Sequence, residues 1–357
     1  MLKWPGRNPA APIMTIESGS DAESQPRAAR TPVRVAVAGL GRSGLAHAAT
    51  LATLESAELV GLCDPSAAAR RNAAGMGFRS PIHAQLERLI AREKPEAIWV
   101  CAAIDRRAAL ATRALAAGAA VLIERPIALA FGEGSNVVDE ARRAGRALMV
   151  SHPLVHQPVF ARAQQALASG AIGRVRQARA STFVSRVFSP RSARRITLGS
   201  EAGVTAHAAF DLLFLLTRML GQPAEVRATA NRLYGDHEDE LHAMVRFTDG
   251  AEAGFDCSWS VPGYPRAANV IELGGERGRM LVSDDAVEID VREGVAPGAG
   301  RDDARGASDA HTRWGDADLP QPARFDLDGE GRWIEDAAFV HWLRGGPAPP
   351  GAGAEAL

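Results

Sequence analysis

The sequence has few cysteines, no long apolar run and almost no net charge, and each of these absences argues against a large class of proteins. Its 357 residues include only three cysteines, at Cys63, Cys101 and Cys257. They lie far apart and match no metal-ligand spacing, which predicts buried thiols in a reducing compartment and no metal site. No apolar run reaches the ~18 residues that a membrane helix needs, so we expect no membrane partner. The net charge is only −1, and we therefore expect no binding to nucleic acid.

The N-terminal residues 1–32 lack the apolar core of a secretory signal and are rich in proline, alanine, serine and charge. We interpret them as a disordered arm in front of the first domain, and we expect a cytoplasmic protein. The length and an apolar content of 46% suit two domains, each with its own core.

Residues 33–150 alternate between short apolar strands and helices of about ten residues. This rhythm predicts βαβ units and a parallel sheet, so the fold class is α/β with an N-terminal Rossmann domain. One predicted helix covers Ile82–Arg92. The first strand, Val33–Gly39, leads directly into a glycine-rich turn.

From residue 151 the pattern changes to that of an α+β domain, for which we predict a large, open and mainly antiparallel sheet over residues 151–345. A helix is predicted over Thr205–Leu220 and a closing helix over Trp333–Arg344. Residues 294–319 are crowded with Gly, Ala, Asp and Pro and predict a long mobile loop. Residues 346–357 are predicted to be a tail.

The turn after the first strand predicts a dinucleotide site. Its sequence is Gly39-Leu-Gly41-Arg42-Ser43-Gly44, a G-x-G-x-x-G motif that opens a helix. The first glycine allows the tight turn, the second lets the backbone approach a pyrophosphate, and the third lets helix and strand pack closely. The diphosphate then meets the N–H groups and positive dipole of the helix N-terminus.

Asp64 ends the second strand, 20 residues after Gly44. A carboxylate there accepts both ribose hydroxyls of NAD and repels the 2′-phosphate of NADP, so we expect NAD, with NADP as the alternative. Asp64-Pro65 is also a good helix start, and the two roles are compatible.

From Val33 onward, the chain resembles the glucose–fructose oxidoreductase/inositol dehydrogenase/MocA (Gfo/Idh/MocA) family. The resemblance rests on the glycine motif and on several short segments. These are Ala117-Gly118 through Glu124-Arg125-Pro126, Ala168-Ser-Gly-Ala-Ile-Gly173, Met219-Leu-Gly221 and Phe247-Thr-Asp-Gly250. It implies a Rossmann domain followed by a domain with a large open sheet.

The family mostly oxidises or reduces hydroxyls of sugars, cyclitols and sugar nucleotides. The resemblance places the cofactor beside the glycine turn and beside Ala102, Glu124 and Arg125. It also implies a cis peptide between Arg125 and Pro126, because the family's equivalent bond places its basic residue over the nicotinamide.

The chain departs from the family at the positions closest to the chemistry. The family's Lys before the proline is Arg125 here, and its Thr-Pro-Asn is Ala102-Ala103-Ile104. The His that normally follows three residues later is Arg107. The second-domain helix normally carries Asp-x-x-x-His, whereas this chain has the reverse order, His207-x-x-x-Asp211.

The residues for hydride transfer are nevertheless present. His207 and Asp211 are spaced to lie on one helical face, as a base and its orienting partner. Arg125 cannot act as a base, but it can donate hydrogen bonds to an alkoxide or hold a substrate carboxylate. His152 and His156 follow the last Rossmann strand and are candidates to line the substrate site. For each histidine, a purely structural role is the alternative.

These observations favour an NAD-dependent dehydrogenase or reductase that transfers a hydride to or from a secondary hydroxyl, or the corresponding ketone, of a sugar, sugar-nucleotide or cyclitol-like substrate. One alternative is a relative that keeps NAD bound and uses transient oxidation for elimination, epimerisation or glycoside chemistry. Another is a cofactor-bound, non-catalytic binding protein. The second-domain strands alternate in a way that we interpret as apolar on both faces, which predicts a homodimer or homotetramer built through the open sheet.

Overall fold

A computed structural model describes residues 31–188, 203–293, 308–315 and 331–353. The chain divides into two compact units. The first contains Met1–Ser151 together with Phe325–Leu357, and the second contains His152–Arg324. Apart from its last two residues, the predicted arm 1–32 lies outside the described part of the chain.

The first unit is built on a six-stranded parallel sheet with the order β3-β2-β1-β4-β5-β6. The strands are β1 Val33–Ala38, β2 Ala57–Cys63, β3 Ile82–His83, β4 Ala97–Val100, β5 Ala120–Ile123 and β6 Leu148–Val150. The connecting helices are α1 Arg42–Leu51, α2 Ala67–Gly75, α3 Leu86–Glu93, α4 Ile104–Ala116 and α5 Phe131–Ala144. The strand order reverses between β1 and β4, which is where a Rossmann sheet binds its dinucleotide. The predicted fold class is confirmed.

The second unit carries an eight-stranded sheet with the order β14-β13-β12-β11-β7-β10-β9-β8. All neighbours are antiparallel except the parallel pair of β7 and β10. The strands are β7 Val175–Phe183, β8 Pro223–Asn231, β9 Glu240–Phe247, β10 Glu252–Ser258, β11 Ala268–Gly275, β12 Gly278–Ser283, β13 Ala286–Glu293 and β14 Ser308–Gly315. The helices are α6 Pro153–His156, α7 Pro158–Ala168 and α8 Phe210–Leu220, with a 3₁₀ turn at Arg186–Phe188 and a π-helical turn at Thr205–Ala209.

The last helix, α9 (Arg332–Leu343), belongs to the first unit, although the sequence pattern assigned it to the second domain. Phe339 and Val340 of α9 are fully buried in the apolar layer that also contains Trp99 and Leu122. Part of the predicted tail also joins this unit, because the N–H of Val150 donates to the carbonyl of Gly351 at 2.9 Å.

Two local predictions were wrong. Residues Ile82–His83 form a strand that pairs with Leu62 and Cys63, and the helix predicted over Ile82–Arg92 starts only at Leu86. Strand β14 lies inside the loop predicted over 294–319 and pairs along its whole length with β13. Strand β14 is polar and carries no apolar pattern that would predict a strand. Its backbone pairing with β13 holds it at the edge of the sheet.

The two faces of the second sheet differ in chemistry. One face packs against α7 and α8 through buried side chains such as Phe160, Leu215, Phe255 and Ile271. The other face is exposed and consists mainly of ion pairs, so the expectation of apolar residues on both faces is wrong. The pairs are Arg246–Glu225, Arg227–Glu225, His242–Asp256, Arg279–Asp290, His311–Asp290 and Arg313–Glu288. Met244, Val270 and Leu281 are exposed apolar residues in these strands.

Within the described ranges, every helix is too short or too polar to span a bilayer.

Candidate functional site

The glycine turn of the first unit can be built only from glycine at two of its positions. Gly39 has a φ of +100°, and a Cβ there would lie 2.5 Å from the carbonyl carbon of Cys101. A Cβ on Gly44 would lie 1.8 Å from the carbonyl oxygen of Gly39. At Gly41, by contrast, a Cβ would meet no described atom within 4 Å. The turn is therefore packed tightly against β4 on one side and open at Gly41.

Helix α1 starts directly after this open position. Its N-cap is Gly41, and among the described residues no side chain caps its first turn, which also contains no acidic residue. The first turn of the helix therefore presents backbone N–H groups to an anion without a competing side-chain cap, and the helix dipole favours negative charge there. This cradle fits a dinucleotide diphosphate.

Asp64 lies at the carboxyl end of β2, as predicted, and its carboxylate braces the turn. Oδ2 accepts from the N–H of Leu40 at 2.8 Å, and Oδ1 accepts from the N–H of Ser66 at 2.8 Å. The N-cap of α2 is Ser66, not Asp64. Arg70 lies close by and donates to the carbonyls of Asp64 and Pro65, each at 2.8 Å. Each oxygen of Asp64 keeps acceptor capacity for a ribose hydroxyl.

Arg107 holds together the two segments that follow β4 and β5. Its guanidinium donates to the carbonyls of Ala102 at 2.8 Å, Arg125 at 2.6 Å and Pro126 at 3.1 Å. The Arg125-Pro126 peptide is cis, which confirms that prediction. The residue that replaces the family's histidine thus fixes the backbone on either side of Arg125.

Below this edge of the sheet lies a cluster of buried ionisable side chains. The side chain of His47, in α1, is fully buried. Its Nδ1 lies 2.8 Å from Asp336 Oδ1, and its Nε2 lies 3.5 Å from Glu124 Oε1. Asp336 also accepts from Trp99 Nε1 at 2.8 Å. The other oxygen of Glu124 lies 3.5 Å from Nη1 of Arg125.

Burial on its own would lower the pKa of His47, but the charge and hydrogen bond of Asp336, with the contact to Glu124, raise it to about 9. Burial opposes the charged form of Glu124 as well, yet His47 holds the pKa of that carboxyl well below its usual range. At neutral pH His47 is therefore an imidazolium between two carboxylates.

Glu335 is the neutral member of the cluster. Burial, reinforced by the charge of Asp336, raises its pKa to about 8, and Ser151 Oγ donates to it at 2.8 Å. The donor atoms of His47, Glu335 and Asp336 lie within 4.8 Å of one another. Because both ring nitrogens of His47 face carboxylates, this geometry suits a protonated ring and not a metal ligand.

In the second unit, the predicted residues His152 and Asp211 form a pair. Nδ1 of His152 lies 3.3 Å from Oδ1 of Asp211, and the two side chains are 3% and 14% exposed. The imidazole stacks on Phe214 with 3.8 Å between ring centroids and 9° between planes. The stacking and the carboxylate at Nδ1 hold the ring in one orientation, and a proton on Nδ1 would make Nε2 the acceptor nitrogen.

The other two predicted histidines differ from this pair. His156 is buried, and burial with the charges of His152 and Arg218 lowers its pKa to about 3, so its ring is neutral and a weak base at physiological pH. His207 lies in the π-helical turn Thr205–Ala209, and its side chain lies outside the described part of the chain. The α-helical spacing that predicted a His207–Asp211 pair is interrupted by this turn.

Sequence reasoning missed the partners that lie far away along the chain. His47 and Asp336 are separated by 289 residues, and His152 and Asp211 by 59 residues. The available signal for His47 was a histidine on the apolar face of α1, which alone does not name a partner.

Comparison with protein-family models gives two matches that together cover most of the chain. Residues 33–152 match the oxidoreductase family with an NAD-binding Rossmann fold, whose model is called GFO_IDH_MocA. Residues 160–281 match the GFO/IDH/MocA C-terminal domain.

Named relatives are distant. A 1-carboxy-3-chloro-3,4-dihydroxycyclohexa-1,5-diene dehydrogenase of Comamonas testosteroni is 25% identical over 62% of this chain and 56% of its own length. A D-apiose dehydrogenase of Paraburkholderia graminis is 25% identical over 73% of this chain and 70% of its own length. The structure of a levoglucosan dehydrogenase in complex with NADH superposes with a TM-score of 0.77 at 20% identity, covering 91% of this chain and 93% of the other. The chain thus spans little more than half of the first relative, and the structural likeness shows the shared fold.

Proposed function

Because the chain belongs to the Gfo/Idh/MocA family of oxidoreductases, with its NAD-binding Rossmann domain, we propose that it transfers a hydride between NAD and a secondary hydroxyl, or the corresponding ketone, of a cyclic sugar-like or cyclitol-like molecule. The observation that carries the proposal is the stacked His152–Asp211 pair in the second unit, since alcohol oxidation needs an oriented base.

The first unit holds the cofactor in this proposal. The open backbone at Gly41 and the uncapped start of α1 receive the diphosphate, and Asp64 receives the adenosine ribose. When bound, NAD supplies the hydride acceptor. We propose NAD over NADP because the Asp64 carboxylate would repel a 2′-phosphate. Arg70, which lies beside the same strand end, is the residue that would favour NADP.

The second unit supplies the base. His152 donates its Nδ1 proton to Asp211, which orients the ring and stabilises the imidazolium. Nε2 then accepts the hydroxyl proton during oxidation and returns it during reduction. His207, the base predicted from the sequence, is the alternative partner of Asp211 and is tested separately below.

Arg125 takes the position of the family's lysine but not its proton chemistry. A guanidinium stays charged at any useful pH, so it donates hydrogen bonds to the substrate oxygen or holds a carboxylate in two-point contact. The first relative's name includes a carboxy group as well as a diol, and all three relatives are named as dehydrogenases of a sugar or a ring-borne diol. These names support a cyclic polyhydroxylated substrate.

We also propose that the protein is a homodimer or homotetramer that pairs through the exposed face of the second sheet. Opposite charges lie side by side on that face, which makes it self-complementary for a second copy. Light scattering at micromolar concentration tests this, and a monomer would contradict it. The cytoplasmic location stays a prediction from the sequence.

The central test is steady-state turnover. Purified protein is mixed with NAD⁺ and a panel of cyclic polyols, pentoses, anhydro sugars and cyclohexadiene diols, and absorbance is followed at 340 nm. Steady NADH formation with one class supports the proposal. A 340 nm band in the isolated protein without net turnover would instead indicate a recycled cofactor and elimination or epimerisation chemistry.

Calorimetric titration with NAD⁺ and NADP⁺ tests the cofactor. Tighter NAD⁺ binding is expected, and Asp64→Ser should narrow the difference. Equal affinities for both cofactors in the wild type would show that Asp64 does not select.

A further inference from the structure

Four side chains of the first unit form a line of alternating charge. Asp336 contacts His47 at 2.8 Å, His47 contacts Glu124 at 3.5 Å, and Glu124 contacts Arg125 at 3.5 Å. The side chains of Asp336 and His47 are fully buried, and those of Glu124 and Arg125 are 5% and 17% exposed. The line starts in the last helix, passes through the helix that follows the glycine turn, and ends at the residue after Glu124.

Burying four charged side chains in a protein interior costs desolvation free energy. Well-packed apolar residues of similar volume often give equal or greater stability than buried ion pairs. The arrangement lies at the carboxyl end of the sheet, where this fold binds its ligands. Its retention there, where Arg125 is its outermost member, points to a role in placing that cation.

The two carboxylate oxygens of Glu124 face different cations, which indicates how the cluster positions Arg125. Oε1 faces His47 and Oε2 faces Arg125. While His47 is charged, it occupies one oxygen and shares the negative charge, so Arg125 faces only part of a carboxylate. Without that charge, the whole buried carboxylate would be left to Arg332 and Arg125, whose charges also act on it, and the stronger attraction would draw the Arg125 guanidinium inward.

We propose that His47 and Asp336 are positioning residues for Arg125, that they act through Glu124, and that they thereby set the affinity of the first unit for the nicotinamide dinucleotide. This inference rests on the proposed function, in which Arg125 faces the cofactor. The charged and titratable groups around His47 are Asp336, Glu335 and Arg332 of α9, Glu124 and Arg125 after β5, and Cys101 after β4.

A double-mutant cycle on NADH binding tests the inference without any substrate. NADH affinity is measured by fluorescence titration for the wild type, Asp336→Asn, Arg125→Met and the double variant. Asp336→Asn removes the charge that keeps His47 protonated, so NADH binding should weaken by about 2- to 30-fold. In the Arg125→Met background the same change should have no further effect. Equal losses in both backgrounds would overturn the inference.

Two further variants separate positioning from folding. Glu124→Gln keeps the shape of the side chain and should weaken NADH binding only when Arg125 is present. If Asp336→Asn does not fold, the double-mutant cycle of Glu124→Gln with Arg125→Met tests the positioning role in its place. Phe339→Leu is the matched control, because Phe339 lies on the same helix and packs edge-on against Trp99 at 5.2 Å without entering the charged line. It should lower the melting temperature and leave NADH affinity unchanged.

If Phe339→Leu weakens NADH binding as much as Asp336→Asn, the cluster acts only by anchoring α9, and the positioning role is wrong. If the wild type does not bind NADH, the cofactor assignment fails together with the inference. Wild-type binding with additive cycles overturns the positioning role alone.

Discussion

The centre of the first unit and the outer face of the second sheet contain the same kind of pair in nearly the same geometry. His47 Nδ1 lies 2.8 Å from Asp336, and His242 Nδ1 lies 2.7 Å from Asp256. The first pair has no exposed surface, whereas the side chains of the second are 51% and 55% exposed. Contact distance therefore does not distinguish them, and access to water does.

Water changes what each pair contributes. Around His242 in the single chain, solvent and salt already stabilise the separated charges, so the pair contributes little to the free energy of unfolding. Around His47 no solvent can replace Asp336, so loss of that carboxylate leaves the imidazolium with only the 3.5 Å contact to Glu124 and favours loss of its proton. A third pair, His152–Asp211, lies between these extremes, with side chains that are nearly buried. It is the pair to which we assign chemistry.

The largest expected effect concerns this third pair. His152→Asn should lower turnover by about 10²- to 10⁴-fold, because a positioned general base is lost. NADH affinity should not change, since the dinucleotide cradle belongs to the first unit. Asp211→Asn should cost less, because it removes orientation but not the base. The measurement is kcat with the substrate identified in the panel.

His207→Asn is the matched control for the assignment of the base. It should retain most of the turnover if His152 is the base. Loss of activity in His207→Asn together with wild-type rates in His152→Asn would move the base to His207, as the sequence predicted.

The next effect concerns stability. Asp336→Asn should lower the free energy of unfolding of the first unit by about 3–5 kcal/mol, because it removes one charged partner of a buried ion pair and leaves the other partner in place. Urea unfolding followed by tryptophan fluorescence measures this. A loss below about 1 kcal/mol would place the buried pair in the same class as the exposed one.

The pH dependence of stability sharpens the same contrast. The pKa of His47 is raised to about 9 in the folded protein and that of Glu335 to about 8, so both groups bind protons more tightly folded than unfolded. The stabilisation from protonated His47 is complete below pH 6.5 and is lost as the pH rises through 9. Glu335 adds a further decline between pH 4.5 and 8.

Unfolding at pH 6, 7, 8 and 9 should therefore show decreasing stability, on the order of 3 kcal/mol from His47. Glu124 contributes in the opposite direction only in acid, where its depressed pKa is reached. Asp336→Asn should flatten the slope between pH 8 and 9. A stability that is constant from pH 6 to 9 would contradict the charge state assigned to the cluster.

The smallest effect is expected on the exposed face. In the dilute, dissociated protein, Asp256→Asn should change the free energy of unfolding by no more than about 0.5 kcal/mol, because water takes over the solvation of His242. It is the counterpart of Asp336→Asn in the same urea experiment. A change of several kcal/mol in the dissociated protein would contradict this, whereas a change that appears only at higher protein concentration would support the proposed pairing of this face with a second copy.

Local patterns allowed much of the fold to be predicted. The alternation of strands and helices predicted the parallel sheet, and the spacing of Gly39, Gly41, Gly44 and Asp64 predicted the turn and the strand end that the structure brings together. Strand β14 was missed because an exposed edge strand carries no apolar pattern. The unit to which the last helix belongs was missed because amphipathic spacing shows that a helix packs, but not against what.

The candidate site was harder because its contacts join distant parts of the chain. Asp211 and His152 were both singled out, yet the helical spacing paired Asp211 with His207. The π-helical turn at Thr205–Ala209 changes the helical phase between these two residues, and the fold brings His152 to Asp211. His47 was not singled out at all, because its two carboxylate partners come from the segment after β5 and from α9.

The position of α9 has a consequence for synthesis on the ribosome. The first unit is complete only when its last helix has emerged, and Asp336 follows His47 by 289 residues. At about 5–20 residues per second, translation takes roughly 15–60 s to cover that distance. Throughout this interval the nascent dinucleotide-binding unit lacks the carboxylate that keeps His47 charged, and the apolar layer that Phe339 covers stays open to solvent or chaperone. The sheet of the dinucleotide-binding unit is therefore translated before the second unit, yet it stays incomplete until α9 follows.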